Sequence, residues 1–470
     1  MLTYSFTNIG SDSLYIHLYK CIKNDIISGS LPAGAKLPSK RSFAKNLGIS
    51  TITIENAYAQ LQSEGYIYSL PKKGFYVTKI KPPLPKAPSA TAPVYPAAAK
   101  KTDYQFDFVN NKTNPDNFPF SIWAKLIRET ISEKSEELMM TPPCGGIMEL
   151  RSAICSHLKA FRNMDVSPEQ VIIGAGTEYL YGLIIQLLGF EKTYAIENPS
   201  YRKLAQIYQS YQVNYRAVAL ASDGMDAAIL EHTGSHVAHI TPSHHYPTGI
   251  VTSISRRYEL LAWASRESGR YILEDDYDSE FRLSGQPIPA LQSIDQSEKV
   301  IYINTFTKSL SQTVRLSYMI LPNHLLETFY RRLDFYSCTV SNFEQYTLAR
   351  FLSDGYFEKH INRMRTHYKN VRDSLLAAIR NSPFAHRIHI YGEDAGLHFL
   401  MQIDTKKSDE ELLKIARRHN IHIALLSQYY IEPLNNIPEH TLILNYTGLS
   451  PNQITTAVEM LSDIFHDLPK

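Results

Sequence analysis

A proline-rich segment divides the chain and limits what it can fold into. Six prolines occur from Pro82 to Pro96, among alanines and lysines. Such a run cannot form a regular helix or strand and behaves as an extended, semi-rigid spacer. The full length of 470 residues also exceeds one ordinary domain. We therefore predict a small domain over residues 1–80, a linker over residues 81–100 and a large domain over residues 101–470.

Charge is distributed unevenly between these parts. Residues 1–81 carry ten lysines and arginines against four acidic residues, a net charge of +6. The rest of the chain carries 38 basic and 42 acidic residues, a net charge of −4. A basic head indicates a polyanionic partner, although a solvated basic surface would account for the charge equally well.

The head has the pattern of three helices followed by a hairpin. Apolar residues recur at helical spacing from Leu14 to Ile26. Ser39 is placed as the N-cap of a second helix, and a tight turn over residues 48–50 precedes a third. Two alternating runs then flank a basic tip at residues 71–74. This order predicts a helix-turn-helix with a wing, whose third helix enters a major groove. The apolar positions of the third helix are Ile52, Ala57, Tyr58 and Leu61.

The segments LPSKRSFAKNLGIS and AYAQLQSEGYIYSLPKKGFYV resemble the winged helix of GntR-type regulators. The resemblance implies binding to a double-stranded DNA operator. Thr51 stands where such heads often carry arginine, so base preference does not carry over. From helix-turn-helix geometry we expect phosphate contacts from the basic residues and base-edge contacts from the start of the third helix. The expected contacts are Lys40, Arg41, Lys72 and Lys73 to phosphates, and Ser50, Thr51, Thr53 and Asn56 to bases.

Beyond the linker, short apolar runs alternate with amphipathic helices, which predicts an α/β domain with a mostly parallel sheet. The runs are residues 171–173, 193–196, 237–240, 271–273 and 300–303. Active groups in such folds collect after the carboxyl ends of the strands. The four cysteines are scattered, which favours neither disulfides nor a metal site and suits a reducing cytosol. We found no signal peptide and no stretch long enough to span a bilayer, so we expect a cytoplasmic protein.

The residues after these runs suggest cofactor chemistry. The small residues before Thr177 lie at the start of a predicted helix. They could bind a phosphate at the helix N-terminus, or they could form a common tight turn. A carboxylate within residues 274–278 could keep a ring nitrogen protonated, or lie in a solvated loop. Tyr201 could stack on a ring or belong to the core. Lys308 lies in an otherwise uncharged run and could form a Schiff base, with Arg315 binding the phosphate of the same cofactor.

In order and spacing, the segments GAGTEYL, ENPSYRK, TPSHHYPTGI, LEDDYDSEF and TFTKSL resemble fold-type I aminotransferases, and specifically the MocR subgroup of GntR regulators. The resemblance implies pyridoxal 5′-phosphate (PLP) as cofactor, a homodimer, and a regulator rather than an enzyme. It implies Lys308 as the Schiff-base lysine, Asp275 at the pyridine nitrogen and Tyr277 at the ring hydroxyl. It places Tyr201 on the ring face and His244 near the ring. Around the phosphate it implies Ala175, Gly176, Thr177, Thr305, Thr307 and Arg315.

Two positions depart from the amino-acid-sensing members of that subgroup. An arginine that holds the ligand carboxylate is expected at Gly448, and a second at Lys203. Arginine binds a carboxylate through two parallel N–H bonds, and glycine offers none. We therefore favour PLP itself as the signal, controlling vitamin B6 synthesis genes. The alternatives are an amine or amino compound sensed through an external aldimine, an aminotransferase with an accessory DNA-binding head, and a cofactor-free dimerisation body.

Overall fold

The computed structural model describes residues 2–6, 9, 12–80, 103–109, 114–283, 288–393 and 396–466. The chain divides into two compact units, Met1–Thr102 and Asp103–Lys470. The predicted linker, residues 81–100, lies outside the described residues.

The head is a winged helix-turn-helix, as predicted. The side chains of Ser39 and Ser50 accept hydrogen bonds from backbone N–H groups and so cap the second and third helices. Gly48 takes a left-handed conformation, with φ of 66°, which allows the tight turn between those helices. The elements are α1 (Leu14–Ser28), α2 (Lys40–Leu47), α3 (Thr51–Ser63) and the antiparallel strands β1 (Ile67–Leu70) and β2 (Gly74–Val77).

The core of the head differs from the prediction at one position on α3. Ile54, Tyr58 and Leu61 are fully buried and pack in one cluster with residues of α1 and α2. The sequence pattern placed Ile52 on the same apolar side, but 68% of Ile52 is exposed. Positions 54, 58 and 61 share one helix face because they are spaced by four and three residues, whereas position 52 lies elsewhere on the helix.

The body is built on an eight-stranded, mostly parallel sheet, which confirms the predicted α/β class. Five neighbouring strands run parallel, and the three remaining strands, at the two sides of the sheet, pair antiparallel. Several of its strands are buried throughout, which explains why they are continuously apolar rather than alternating. In spatial order the strands are β4 (Val171–Gly174), β11 (Ser317–Ile320), β10 (Val300–Thr305), β9 (Tyr271–Asp276), β8 (Val237–Ile240), β5 (Thr193–Asn198), β6 (Asn214–Ala221) and β7 (Gly224–Met225).

A smaller antiparallel sheet is formed towards the C-terminus, together with a two-stranded parallel pair. The four strands, in spatial order, are β12 (Ile388–Tyr391), β13 (His398–Ile403), β16 (Thr441–Asn445) and β15 (Ala424–Leu425). The parallel pair is β3 (Phe106–Asp107) with β14 (Ile421–His422), which joins the start of the body to its C-terminal part.

The helices of the body cover these sheets, and no helix among the described residues is long and apolar enough to cross a membrane. The large apolar cluster includes buried residues of the helices over residues 148–162, 342–353, 356–380 and 454–466. The helices are α4 (Phe120–Glu133), α5 (Ser135–Leu138), α6 (Met148–Arg162), α7 (Thr177–Leu188), α8 (Arg202–Ser210), α9 (Ala227–Glu231), α10 (Ile254–Ser265), α11 (Leu291–Ile294), α12 (Asn323–Leu333), α13 (Asn342–Ser353), α14 (Tyr356–Arg380), α15 (Asp409–Arg418) and α16 (Ile454–His466).

Candidate cofactor site and DNA-binding surface

A cavity of about 580 Å³ lies at the carboxyl ends of the parallel strands of the large sheet. Strands β5, β8, β9 and β10 all end at this edge, so the loops that follow them meet there. Residues from all five segments that resemble fold-type I aminotransferases line the cavity. Nine of the eleven predicted cofactor residues are on its wall: Gly176, Thr177, Tyr201, Asp275, Tyr277, Thr305, Thr307, Lys308 and Arg315.

Lys308 follows β10 and lines the cavity opposite an aromatic wall. Its Nζ lies 6.0 Å from the centre of the Tyr277 ring. Burial disfavours the charged ammonium and lowers the pKa of Lys308 from 10.5 to about 8, although the nearby Asp278 carboxylate acts in the opposite direction. A lysine whose pKa lies close to neutral pH has an appreciable fraction of free amine, which is the nucleophilic form.

Asp275, at the end of β9, presents one free oxygen. Its Oδ2 accepts a hydrogen bond of 2.5 Å from the Tyr181 hydroxyl and lies 3.7 Å from His239 Nε2. Its Oδ1 is buried and has no hydrogen-bond partner among the described residues. An unpaired buried carboxylate oxygen is costly unless a ligand donates to it. The arrangement fits the protonated nitrogen of a pyridine ring.

The start of α7 and the loop after β10 form a cradle for an anion. Gly176 has a φ of 95°, and a Cβ at this position would lie 2.6 Å from Arg315 Nη2. Only glycine therefore allows the arginine to approach the helix N-terminus so closely. The hydroxyls of Thr305 and Thr307 are 2.7 Å apart. Backbone N–H groups, hydroxyls and a guanidinium together suit a phosphate.

Two predicted cofactor residues do not line the cavity. Ala175 lies beside it, and its N–H donates to the Thr339 hydroxyl. His244 lies in contact with Tyr277: its Nδ1 is 3.2 Å from the Tyr277 hydroxyl and 2.8 Å from Asp278 Oδ2. The histidine that does line the cavity is His239, which the sequence pattern placed inside β8.

Several cavity residues were not anticipated from the sequence. Glu178 forms an ion pair with Lys203, and its other oxygen lies 3.6 Å from Arg315. The hydrogen bond from Lys203 lowers the pKa of Glu178. Burial raises the pKa of Glu197 to about 8. No signal in a single sequence distinguishes these residues from ordinary surface or core positions.

Gly448, where the sequence led us to expect a carboxylate-binding arginine, does not line the cavity. It is exposed, and a Cβ there would meet no atom within 4 Å. Glycine at this position adds no cation to the cavity, and the open space at its Cα would accommodate a longer side chain. The cations that line the cavity are Lys203, Lys308 and Arg315 among the residues described.

A second cavity, of about 300 Å³, adjoins the first. Val109, Tyr201 and Tyr429 line both cavities. The hydroxyl of Tyr429 lies 2.9 Å from that of Tyr246, which lines only the first. Most of the second cavity is apolar, and its two charged side chains are Arg202 and Arg417.

In the head, six of the eight predicted DNA contacts are exposed, and the other two, Lys40 and Thr53, are half-buried. Thr51 and Asn56 are exposed, on a different face of α3 from the buried residues. Ser50 is the N-cap, so its hydroxyl already accepts from the Thr53 N–H. Lys40 donates to Glu55 on α3 at 2.5 Å and so has a partner within the head. The remaining predicted phosphate contacts, Arg41, Lys72 and Lys73, are exposed, and the two lysines occupy the tip of the hairpin.

The comparisons with known proteins agree with this division. Residues 14–77 match the family described as bacterial regulatory proteins, gntR family, and residues 109–461 match aminotransferase class I and II. The regulator YhdI of Bacillus subtilis is 35% identical over 95% of both chains. The probable rhizopine catabolism regulatory protein MocR of Rhizobium meliloti is 29% identical over 96% of this chain and 94% of its own. A relative of Corynebacterium glutamicum, named a pyridoxine biosynthesis transcriptional regulator, is 27% identical over 89% of both chains.

Solved structures agree on the fold of the body. A kynurenine aminotransferase of Pyrococcus horikoshii is similar with a TM-score of 0.68 at 23% identity, covering 79% of this chain and 93% of its own. A winged helix joined to an aminotransferase fold defines a class of transcriptional regulators with a PLP-binding body. The chain belongs to the MocR subgroup of the GntR family.

Proposed function

We propose that this protein is a transcriptional regulator whose operator binding changes with the occupancy of the cavity around Lys308. The observation that supports this most strongly is the free oxygen of Asp275, which lies in the same cavity as a lysine of lowered pKa. Bound there, PLP supplies an aldehyde and an electron-poor ring. We assign Lys308 as the group that attaches the cofactor covalently and Asp275 Oδ1 as the acceptor of the ring N–H.

The remaining residues of the cavity would hold the cofactor in place. Tyr277 would lie at the ring hydroxyl, and Tyr201, which is 53% exposed, would cover the ring face. Gly176 and Arg315 bind the phosphate together with the backbone N–H groups at the start of α7. The other members of this phosphate site are Ala175, Thr177, Thr305 and Thr307. His244 positions Tyr277 through the hydrogen bond between them.

The first candidate signal is PLP itself, and the regulated genes would be those of vitamin B6 synthesis. It is supported by the pairing of charges in the cavity. Lys203 and Arg315 both form ion pairs with Glu178. In the proposed complex Lys308 is bonded covalently to the cofactor. The cofactor cavity therefore offers no unpaired cation, within its described lining, for the carboxylate of an amino acid. The relative named for pyridoxine biosynthesis regulation is consistent with this candidate.

The second candidate signal is an amino compound that binds beside the cofactor. The observation that favours it is the second cavity, which shares Val109, Tyr201 and Tyr429 with the first and is lined by two arginines. Catalytic turnover of such a compound would make the protein an aminotransferase with a DNA-binding head. Steady-state assays with amino donors and keto acids distinguish that outcome, because ordinary enzymes turn over about 1–1000 times per second.

In the cell we place this regulator in the cytoplasm as a homodimer that presents two heads to paired half-sites. The basic residues of the wing and of α2 would contact phosphates, and the first turns of α3 would contact base edges. Symmetry of the bound operator and the mass of the protein in solution test this arrangement.

The experiment that tests the proposed function measures affinity for DNA selected by the full-length protein from a random duplex library. Fluorescence anisotropy is recorded with and without PLP, and then with amino compounds added. We expect PLP to change operator affinity in the wild type but not in Lys308→Ala. The surface variant Lys414→Ala, on α15, serves as the matched control. Equal operator affinity with and without PLP would refute PLP as the signal.

A further inference from the structure

A third cavity, of about 20 Å³, is lined by His244 and by residues that follow β9. Its lining residues are linked by hydrogen bonds. Arg162 Nη2 donates to Ser243 Oγ at 2.9 Å, and His244 Nδ1 lies 2.8 Å from Asp278 Oδ2. The lining of so small a cavity surrounds a single point, so the space suits one small molecule.

Three buried polar atoms of the lining residues have no hydrogen-bond partner among the described residues. They are His244 Nε2, Ser279 Oγ and Arg162 Nε. His244 is 5% exposed and Ser279 is 6% exposed. Gly396, which also lines the cavity, faces the imidazole: a Cβ there would overlap His244 Cε1 and would lie 2.7 Å from Nε2. Nε2 therefore lies at the cavity wall, where a ligand can pair with it. Buried polar atoms normally have a partner, either in the protein or in ordered water.

The size and the charge of the cavity favour water as its occupant. About 10–15 Å³ is enough to hold one water molecule, which typically forms about three hydrogen bonds to buried polar groups. The carboxylate of Asp278 in the wall disfavours an anion, and the guanidinium groups of Arg162 and Arg282 disfavour a cation. A neutral molecule with both donor and acceptor capacity is what this wall can pair with.

The neighbours of His244 determine which ring nitrogen carries the hydrogen. The carboxylate of Asp278 can only accept, so Nδ1 is the donor in the contact of 2.8 Å. In a neutral imidazole the other nitrogen, Nε2, then accepts, and a water can donate to it. The same Nδ1 lies 3.2 Å from the Tyr277 hydroxyl, which cannot donate to a nitrogen that already carries a hydrogen. His398, whose ring centre is 4.9 Å away, is neutral because burial lowers its pKa to about 3.

We propose that the third cavity holds one buried water molecule, and that this water and Asp278 together keep the hydrogen of His244 on Nδ1. The Tyr277 hydroxyl then donates its own hydrogen to the ring oxygen of the cofactor. Burial, and after it the charge of Asp278, raises the pKa of Tyr277 well above 10, so the hydroxyl retains that hydrogen. His244 is a positioning residue in this arrangement. The part that concerns Tyr277 rests on the proposed cofactor site around Lys308.

Crystal structures of the full-length wild type, with and without PLP, test the water directly. We expect one ordered water within hydrogen-bond distance of His244 Nε2 and Ser279 Oγ in both. An anomalous signal of chloride in the cavity would overturn the proposal. So would the absence of density there in a map that shows other buried waters. This measurement requires neither bound cofactor nor a variant that folds.

Two substitutions of His244 separate the roles of its ring nitrogens. The amide nitrogen of asparagine lies near the position of Nδ1, and that of glutamine lies near the position of Nε2. His244→Asn therefore keeps a donor to Asp278, whereas His244→Gln loses it and leaves the Tyr277 hydroxyl to donate to Asp278 instead. The exposed His232→Gln, at the end of α9, is the matched control.

The spectroscopic measurement is the pH midpoint at which the absorbance of the lysine-bound cofactor changes. When the ring oxygen loses a hydrogen bond, its negative charge is less stable, so the cofactor releases its proton at a higher pH. We expect the midpoint of His244→Gln to rise by about one to two pH units, and those of His244→Asn and His232→Gln to match the wild type. Equal midpoints in both His244 variants would overturn the positioning role. A wild type that forms no lysine-bound cofactor would instead refute the proposed role of Lys308, while the crystal without PLP still tests the water.

Discussion

Covalent attachment of PLP to Lys308 should depend on pH with a midpoint near pH 8. Burial lowers the pKa of this lysine from 10.5 to about 8, despite the opposing charge of Asp278. Only the neutral amine attacks an aldehyde. The rate of attachment should therefore rise with pH up to about 8 and level off above it.

The magnitude follows from the two pKa values. At pH 7 a lysine with a pKa of about 8 is neutral for about 9% of the time, against about 0.03% for an ordinary lysine. Lys308 should accordingly attach PLP about 300-fold faster at pH 7 than a solvent-exposed lysine of equal nucleophilicity. Below the midpoint the rate should fall about tenfold for each pH unit.

Stopped-flow absorbance of the lysine-bound cofactor measures this rate, with a free lysine derivative in the same buffers as the reference. The variant Asp278→Asn removes a charge that stabilises the ammonium, so its midpoint should move below pH 8. Asp354→Asn, an exposed carboxylate at the end of α13, should leave the midpoint unchanged. A wild-type midpoint above pH 10, or a higher midpoint in Asp278→Asn, would refute the reasoning.

Three further predictions concern the two functional regions. Asp275→Ala should weaken PLP binding by about 30-fold or more, because a buried charged hydrogen bond contributes at least about 2 kcal/mol. Absorbance titration measures this affinity, and an unchanged affinity would contradict the role of the free Oδ1 of Asp275. Glu178→Gln should strengthen PLP binding about twofold to fivefold, because it releases Arg315 from the ion pair with Glu178. The same titration measures this, and weaker binding would contradict competition between Glu178 and the phosphate. Lys72→Ala and Lys73→Ala should each weaken binding to all duplexes, and each should reduce the steepness of the plot of log affinity against log salt concentration by about 0.9. Anisotropy over a salt series measures this slope, and an unchanged slope would mean that the lysine does not contact the phosphates.

The fold could be predicted because its signals are local. The prolines from Pro82 to Pro96 separated the two parts, and continuous apolar runs located the central strands of the large sheet. All five predicted strands begin at the predicted residue; β8 also ends where predicted, and the other four extend one to three residues past the predicted end. The extensions are polar ends such as Glu274 to Asp276, which a hydropathy pattern assigns to the following loop.

The site was only partly predictable because several of its residues depend on contacts between distant segments. Tyr181 and Asp275 meet although 94 positions separate them. Lys203 and Arg315 converge on Glu178 from a different helix and from a loop. No periodicity in the sequence encodes such meetings, since they arise from the order of strands in the sheet.

The charges of the cofactor cavity bear on how firmly a ligand is held. Lys203, Lys308 and Arg315 provide the positive charges, whereas Glu178 and Asp275 oppose them. Glu197, with a pKa raised to about 8, is mostly neutral at pH 7. A phosphate carries about −1.5 to −2 at this pH and competes with Glu178 for Arg315. In the proposed complex the phosphate would compete with Glu178 for Arg315, and this competition would lower the affinity for PLP. A lower affinity for PLP suits a protein whose operator binding must follow the supply of its ligand. The occupancy of a binding site changes with ligand concentration only when that concentration is near the dissociation constant.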